Sequence, residues 1–442
     1  MHDLVIRGGL VIDGTGAPAR PADVAIDGGF ISEVRQGVGP GRREVDARGL
    51  LVTPGFVDIH THYDGQATWD STLTPSCWHG VTTTIFGNCG VGFAPVKPGT
   101  TGFLINLMEG VEDIPGSVLA EGVSFDWESF PDYLEALERR RFTMDIGAQV
   151  PHAALRFYVM GERGADHRET PTAEERDRMA ALLEEALRAG AFGFSTSRTT
   201  KHRAKDGRLV PTLTADEPEL LALAQAMRRA GTGVLEVNSD WGDGEFEILR
   251  SAAEVAGRPL SCLLLEYSSD PERWRSVMAG IRAARAAGVD ASAQIASRPV
   301  GILMSLGSTV NPFGTHPSWK ELEPLTHAER VERLRSDTAL RQRLLAEAPR
   351  SGFVARLVER AFIVGDTPDY EPGPEASVAA IAAREGVGLW EKTLELLLVD
   401  DGQGLLMHPF ENYAKGDLGA VHEMLTDAAS VVAGSDAGAH VG

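Results

Sequence analysis

From residue 53 onward, short apolar runs alternate with longer amphipathic stretches. The apolar runs are "GFVDIH", "VTTTIFG", "TMDIGAQV", "AFGFST", "GVLEVNS", "LSCLLLEY", "VDASAQIA" and "SVVAGSD". They are rich in β-branched residues and lack strict alternation, the pattern of parallel strands covered on both faces. The stretches between them, such as "TAEERDRMAALLEEALRAG" and "DEPELLALAQAMRRAG", open on acidic residues and end in Arg before Gly. That order suits the helix dipole at both ends and a glycine C-cap. Eight such units predict an α/β chain built as a TIM-like (β/α)8 barrel. A doubly wound sheet is the competing architecture. It would carry a Gly-rich dinucleotide fingerprint after the first strand, and none is present.

Residues 1–52 have another rhythm. "DLVIRGGLVID" and "ADVAIDGGFISEV" read as strand pairs with Gly turns between them, which predicts a small N-terminal β-domain before a barrel at 53–442. Two stretches interrupt the barrel: a Gly/Pro-rich excursion at 90–125, and residues 298–385, which contain "NPFGTHPSWKELEPL". Insertions at the C-terminal ends of barrel strands lie over the active face, so both are expected to shape specificity. "SRPVGILMSLGSTVNPF" suits either a hydrophobic pocket lining or a helix packed on the barrel. The sequence stops at "VAGSDAGAHVG", directly after the eighth strand. A full barrel needs a further helix there, so the expectation is a truncated chain, a homo-oligomer, or a partner subunit that completes the barrel.

The formal net charge is −21 over 442 residues, which argues against nucleic acid as a partner because phosphates require a basic footprint. Three cysteines, Cys77, Cys89 and Cys262, make no disulfide framework. No apolar run is long enough to span a bilayer, and the N-terminus lacks a leader pattern. The expectation is a cytoplasmic protein acting on a small molecule.

The chemistry gathers at strand ends. His60 and His62 are two apart at the end of the first barrel strand, so in extended backbone both point into the barrel mouth, where paired imidazoles suit zinc. Asp436 ends the eighth strand, which neighbours the first when a barrel closes. It can reach the same metal and act as general acid/base, or serve as a helix N-cap. Cys89 follows the second strand in a Gly/Asn loop and is either a thiolate ligand or a small buried hydrophobe. His152 ends the third strand and reads either as a substrate-binding group or as a structural histidine.

These residues lie within a longer pattern. "TPGFVDIHTHYDGQATWD", "GVTTTIFGNCGVGFAPVKP", "LMEGVEDIPG", "VPHAALRFYVMG", "EALRAGAFGFSTS" and "GSDAGAHVG" resemble the N-acyl-D-amino-acid deacylases (D-aminoacylases) of the amidohydrolase superfamily, over nearly the whole chain. The resemblance implies a TIM-like barrel with a small β-sandwich built from both chain ends. It implies zinc-dependent amide hydrolysis through metal-activated water, with His60, His62, Cys89 and Asp436 at the metal positions and Asp436 as general acid/base.

The sequence also departs from that pattern. Where the family places a histidine at the end of the fifth strand and another at the end of the sixth, this chain has "GVLEVNSDW" and "LLLEYSSD". Glu236 and Glu266 are the nearest possible ligands, and Asn238 and Tyr267 beside them join His152 as substrate-binding candidates. The expectation is one or two Zn2+ ions, one favoured. The leading reading is hydrolysis of a small N-acyl amino acid. Ring-opening of a cyclic, hydantoin-like amide uses the same chemistry, and a non-catalytic binding protein or subunit is the alternative of another class.

Overall fold

The computed structural model describes residues 1–349 and 352–440; Val441 and Gly442, which end the "GSDAGAHVG" run, lie outside the described residues. The chain divides into two units, Met1–Val57 with Ser76–Thr83, and Asp58–Pro75 with Thr84–Gly442.

In the first unit, β1 (His2–Val11), β2 (Arg20–Asp27), β3 (Phe30–Arg35), β4 (Gly41–Asp46) and β5 (Leu51–Val52) form one mixed sheet. Its order is β3-β2-β1-β4, with β5 also paired to β1. Gly28 and Gly29, at φ 58° and 85°, make the tight turn between β2 and β3 that only such residues allow readily. Gly8–Gly9 is not a turn, contrary to the expectation from sequence. β1 runs through it as one strand, with a register shift between Ile6 and Gly9. A Cβ on Gly9 would lie 2.4 Å from a methyl of Val52, so the glycine admits the neighbouring strand instead of reversing the chain.

The eight predicted barrel strands are β6 (Phe56–Asp58), β7 (Val81–Phe86), β8 (Asp145–Pro151), β9 (Gly193–Arg198), β10 (Val234–Ser239), β11 (Leu260–Leu263), β12 (Ala291–Ile295) and, after three others, β16 (Ser430–Val432). They make a curled sheet in the order β16-β12-β11-β10-β9-β8-β7-β6, the α/β TIM-like arrangement the apolar rhythm predicted. β9 is buried at five of its six positions because helices cover its outer face and side chains fill the inner one. The helix Ala173–Ala189 begins at a capping box, Thr172 with Glu175, and ends at Gly190 at φ 116°. The helix Glu217–Ala230 is capped by Asp216 and ends at Gly231.

Past the ends of β6 and β16 the two edges meet. Thr61 and Ala437 form a parallel bridge. The His62 amide donates to the Ala437 carbonyl at 2.8 Å, and the Asp436 amide to the His60 carbonyl at 3.3 Å. The edges therefore join at the segments that carry the histidine pair and Asp436.

Between β12 and β16 the chain builds a layer of its own. β13 (Val300–Met304), β14 (Phe362–Ile363) and β15 (Leu406–Glu411) form a sheet in the order β13-β15-β14. Five helices between His327 and Leu397 pack with them around an apolar core that includes Phe313, Leu334, Leu344, Leu357, Leu397 and Leu406. The "PVGILM" segment is the strand β13, not a helix. Its apolar residues pair with β15 and feed this separate core.

Candidate metal centre

His60 and His62 follow β6 and are fully buried, with their rings 5.5 Å apart. Cys89 follows β7 at φ 55°, and Asp436 follows β16 at φ 53°. Left-handed backbone at a non-glycine residue is uncommon, and here it occurs at two positions that face one centre. A ligand atom from each of His60, His62 and Cys89 can lie within 4.8 Å of the others. The Cys89 thiol is 3.2 Å from His60 Nε2. Asp436 Oδ1 is 3.7 Å from Nε2 of His60 and 3.7 Å from Nε2 of His62.

The surroundings orient these atoms. His60 Nδ1 lies 2.7 Å from the amide oxygen of Gln294 on β12, an acceptor only, so Nδ1 carries the proton and the Nε2 lone pair faces Cys89 and Asp436. Gln294 is itself fixed by donating to Ser261 Oγ at 2.8 Å. Glu236 and Asn238, two apart on β10, both reach Cys89. The Cys89 amide donates to Glu236 Oε2 at 3.1 Å, and Asn238 Nδ2 is 3.5 Å from the sulfur. Among the described residues Glu236 Oε1 has no hydrogen-bond partner, and it lies 3.8 Å from His60 Nδ1.

Electrostatically the site crowds acidic groups together where burial resists their ionisation. Burial pushes Glu236 up to about 7 against the pull of His60. It pushes the Asp64 carboxyl, which accepts from the Gly87 amide, to about 7 as well. Burial, followed by repulsion from Asp436, Asp64 and Glu236, drives Glu112 well above its ordinary value. The Cys89 thiol is likewise raised, by burial and then by Glu236, Glu112 and Asp436. Burial lowers the His62 imidazole to about 4 despite Asp436. Asp436 alone is held low: burial opposes its charge, but His62 and His60, each 3.7 Å away, outweigh it. Two imidazoles, a thiol and several carboxyls gathered at one place form a donor set that a divalent cation fits, because its charge lets thiol and carboxyls ionise together.

The other residues singled out in the sequence fall in different places. His152 is buried at the start of the helix His152–Met160, with Nδ1 2.9 Å from Thr196 Oγ1 and Nε2 2.9 Å from Glu219 Oε1. Glu219 also pairs with Arg156. Glu266 accepts from the Ala414 amide at 2.9 Å, and its own amide donates to Asn412 Oδ1. The Tyr267 hydroxyl donates to the Ser239 carbonyl at 2.9 Å, under the ammonium of Lys201.

Three neighbours of the centre were not singled out in the sequence. Gln294 is the first. Glu112, at the end of the helix Thr101–Glu112, places Oε1 3.4 Å from His62 Nδ1. His202, in the loop after β9, has Nδ1 2.8 Å from Ser197 Oγ and Nε2 3.3 Å from Asn238 Nδ2. Burial and the nearby His62 push it down to about 3. The signal for His202 was its place in a loop at the C-terminal end of a barrel strand, where site residues of this fold gather.

A family model described as the amidohydrolase family matches residues 43–442. The chain is 34% identical over 264 residues to N-acyl-D-aspartate deacylase of Alcaligenes xylosoxydans xylosoxydans, covering 59% of this chain and 48% of that protein. It is 33% identical over 306 residues to N-acyl-D-glutamate deacylase of the same organism, covering 67% and 57%. The chain thus spans about half the length of the curated relatives it matches. Among solved structures, N-acyl-D-glutamate deacylase of Bordetella bronchiseptica, complexed with zinc and a phosphonate mimic of the tetrahedral intermediate, superposes with a TM-score of 0.61 at 26% identity, covering 98% of this chain and 76% of that one. A D-aminoacylase with a binuclear metal centre superposes with a TM-score of 0.60 at 26% identity and the same coverage. With the family model matched from the N-terminal sheet through the barrel, and a His-x-His pair, a cysteine and an aspartate gathered at the barrel mouth, this chain belongs to the amidohydrolase family.

Proposed function

We propose that the protein hydrolyses the amide bond of a small N-acyl amino acid, specifically an N-acyl-D-amino acid, at a zinc centre held by His60, His62 and Cys89. The observation that carries this reading is the equal 3.7 Å reach of Asp436 Oδ1 to both imidazole Nε2 atoms, with the Cys89 thiol 3.2 Å from one of them. When bound, zinc supplies Lewis acidity and lowers the pKa of water. The chain's own residues do the rest. Asp436, ionised and 36% exposed at its side chain, takes the proton of the attacking water and delivers it to the departing nitrogen. Gln294 holds His60 in the tautomer that leaves Nε2 free. Three donors in one cluster support a single ion as the working state, with Glu236 and Asp436 completing its surroundings. Asn238 faces the same space for substrate contact. No described helix is long and apolar enough to cross a membrane. The three unpaired cysteines support a reducing, cytoplasmic setting.

The test pairs metal content with turnover. Protein supplied with micromolar zinc is expected to hold about one equivalent and to hydrolyse N-acyl-D-amino acids in preference to hydantoin rings. Asp436→Asn is expected to lose on the order of 10²- to 10⁴-fold in kcat while remaining folded. Absence of bound zinc, turnover of the rings alone, or full activity in Asp436→Asn would overturn the proposal.

A further inference from the structure

The two histidines of the pair differ in how they are held. His60 has Gln294 behind its Nδ1. His62 has no hydrogen-bond partner at Nδ1 among the described residues. The nearest carboxyl oxygen is Glu112 Oε1 at 3.4 Å, itself buried and without a hydrogen-bond partner among the described residues. Both side chains are almost completely shielded from water, at 1% and 4% exposure. Two complementary polar atoms buried 3.4 Å apart, each without another partner among the described residues, make a hydrogen bond after a small rotation of either side chain.

Glu112 is brought there by its helix. The helix Thr101–Glu112 lies in the excursion after β7 and buries Leu104, Leu107 and Met108. Gly110 fits against the backbone of Arg203–Lys205, and the Lys205 amide donates to the Asn106 carbonyl at 3.0 Å. At its end the Glu112 carbonyl accepts from the His440 amide, four residues beyond Asp436. The helix therefore touches the His202 loop on one side and the Asp436 segment on the other, with the Glu112 carboxyl aimed at His62 between them.

Resting on the zinc reading above, we infer that Glu112 is the positioning residue for His62: its carboxylate accepts the Nδ1 proton and so presents Nε2 to the metal. Glu112 acts through the imidazole and does not itself touch zinc. In this role the excursion after β7 contributes to metal retention, beyond any effect on the shape of the substrate space.

The experiment measures zinc dissociation constants by chelator competition for the wild type, Glu112→Gln and Glu112→Ala. Melting curves of the metal-free proteins are run alongside. The expected result is a loss of affinity of about 10- to 100-fold in Glu112→Ala, the range seen when the outer partner of a metal-bound histidine is removed. Glu112→Gln keeps most of the affinity, because its amide oxygen still accepts from Nδ1. Wild-type affinity in a folded Glu112→Ala would overturn the inference and leave the zinc reading intact. Equal weakening in both folded variants would make Glu112 a direct ligand and also overturn it. Should the alanine variant fail to fold, the near-isosteric glutamine decides: weakening beyond about tenfold counts against a positioning role, and retention supports it. A wild type that takes up no zinc would overturn the zinc reading together with this one.

Discussion

At the scale of single residues, tautomers and buried charges decide what the side chains can do. The Gln294 amide sets the proton of His60, and the Thr196–His152–Glu219–Arg156 chain forms a second buried polar network. Burial drops the His152 imidazole below its ordinary 6.5 in spite of Glu219. Burial also opposes the Glu219 charge, but the hydrogen bond and charge of His152, then Arg156, bring it below its ordinary 4.5. The signs agree. Between 6.5 and the lower folded value, the unfolded chain takes up a proton that folded His152 refuses, so stability falls with falling pH. Glu219 contributes stability that is present above its unfolded value and lost as pH falls through its folded one. The network's own share of stability, read in denaturant unfolding as wild type minus Glu219→Gln, is expected to decrease steadily from pH 7 to pH 4. Glu219→Gln, which leaves Arg156 buried without its counter-charge, is expected to lose about 3–5 kcal/mol at pH 7 and to flatten the profile below about pH 4.5. A profile parallel to wild type would count against the network. His60, His62, Cys89 and Asp436 were legible in the sequence because each lies at or just after the end of an apolar run, where a barrel gathers its chemistry. Gln294, Glu112 and His202 were not, because common polar residues carry no local mark and meet the centre only through long-range packing.

At the scale of elements, the caps and glycines explain where the chain turns. The capping box at Thr172 and the positive φ at Gly190 and Gly231 agree with the sequence reading of both helices. Gly110 is different. In an isolated helix, alanine would be favoured there by about 1 kcal/mol. In this fold a Cβ at Gly110 would sit 2.3 Å from the backbone of Arg203, Ala204 and Lys205, which cannot yield like a side-chain tip. Gly110→Ala is therefore expected to destabilise the protein by about 1–3 kcal/mol, the overpacking range, and to weaken zinc binding by moving Glu112 and the His202 loop apart. A rise in melting temperature would show that propensity wins and that the helix does not press on the loop. The same contrast applies at β13. Its apolar run was compatible with a helix, and only pairing with β15 settles it as a strand.

At the scale of the whole molecule, the ends of β6 and β16 meet through the Thr61–Ala437 bridge, between the histidine pair and Asp436. On the proposed reading, a metal held on one side by the histidines and approached on the other by Asp436 would join the two edges. Its binding free energy adds to folding stability, by about 2.7 kcal/mol when free zinc is a hundred times its dissociation constant. Chelator dialysis is expected to lower the melting temperature by a few degrees, and added zinc to restore it. An unchanged melting temperature in a zinc-containing preparation would show that the closure is independent of the metal.

The sequence by itself determined the order of the eight strands, the type of the small N-terminal domain and the strand ends at which His60, His62 and Cys89 come together. These follow from local rules: apolar runs of strand length, caps at helix ends, and histidines spaced two apart on extended backbone. It did not determine that Gly8–Gly9 is a bulge, since a glycine pair serves a turn and a bulge equally well, and the position of Val52 decides between them. Nor did it determine that Glu236 and Asn238 both turn toward Cys89 while Glu266 is engaged by Asn412 and Ala414. Glu236 and Asn238 lie within β10 and Glu266 three residues past β11, in stretches of similar apolar pattern. Which of them faces the metal centre is set by how neighbouring strands and the layer between β12 and β16 pack, and that depends on contacts between residues more than a hundred positions apart.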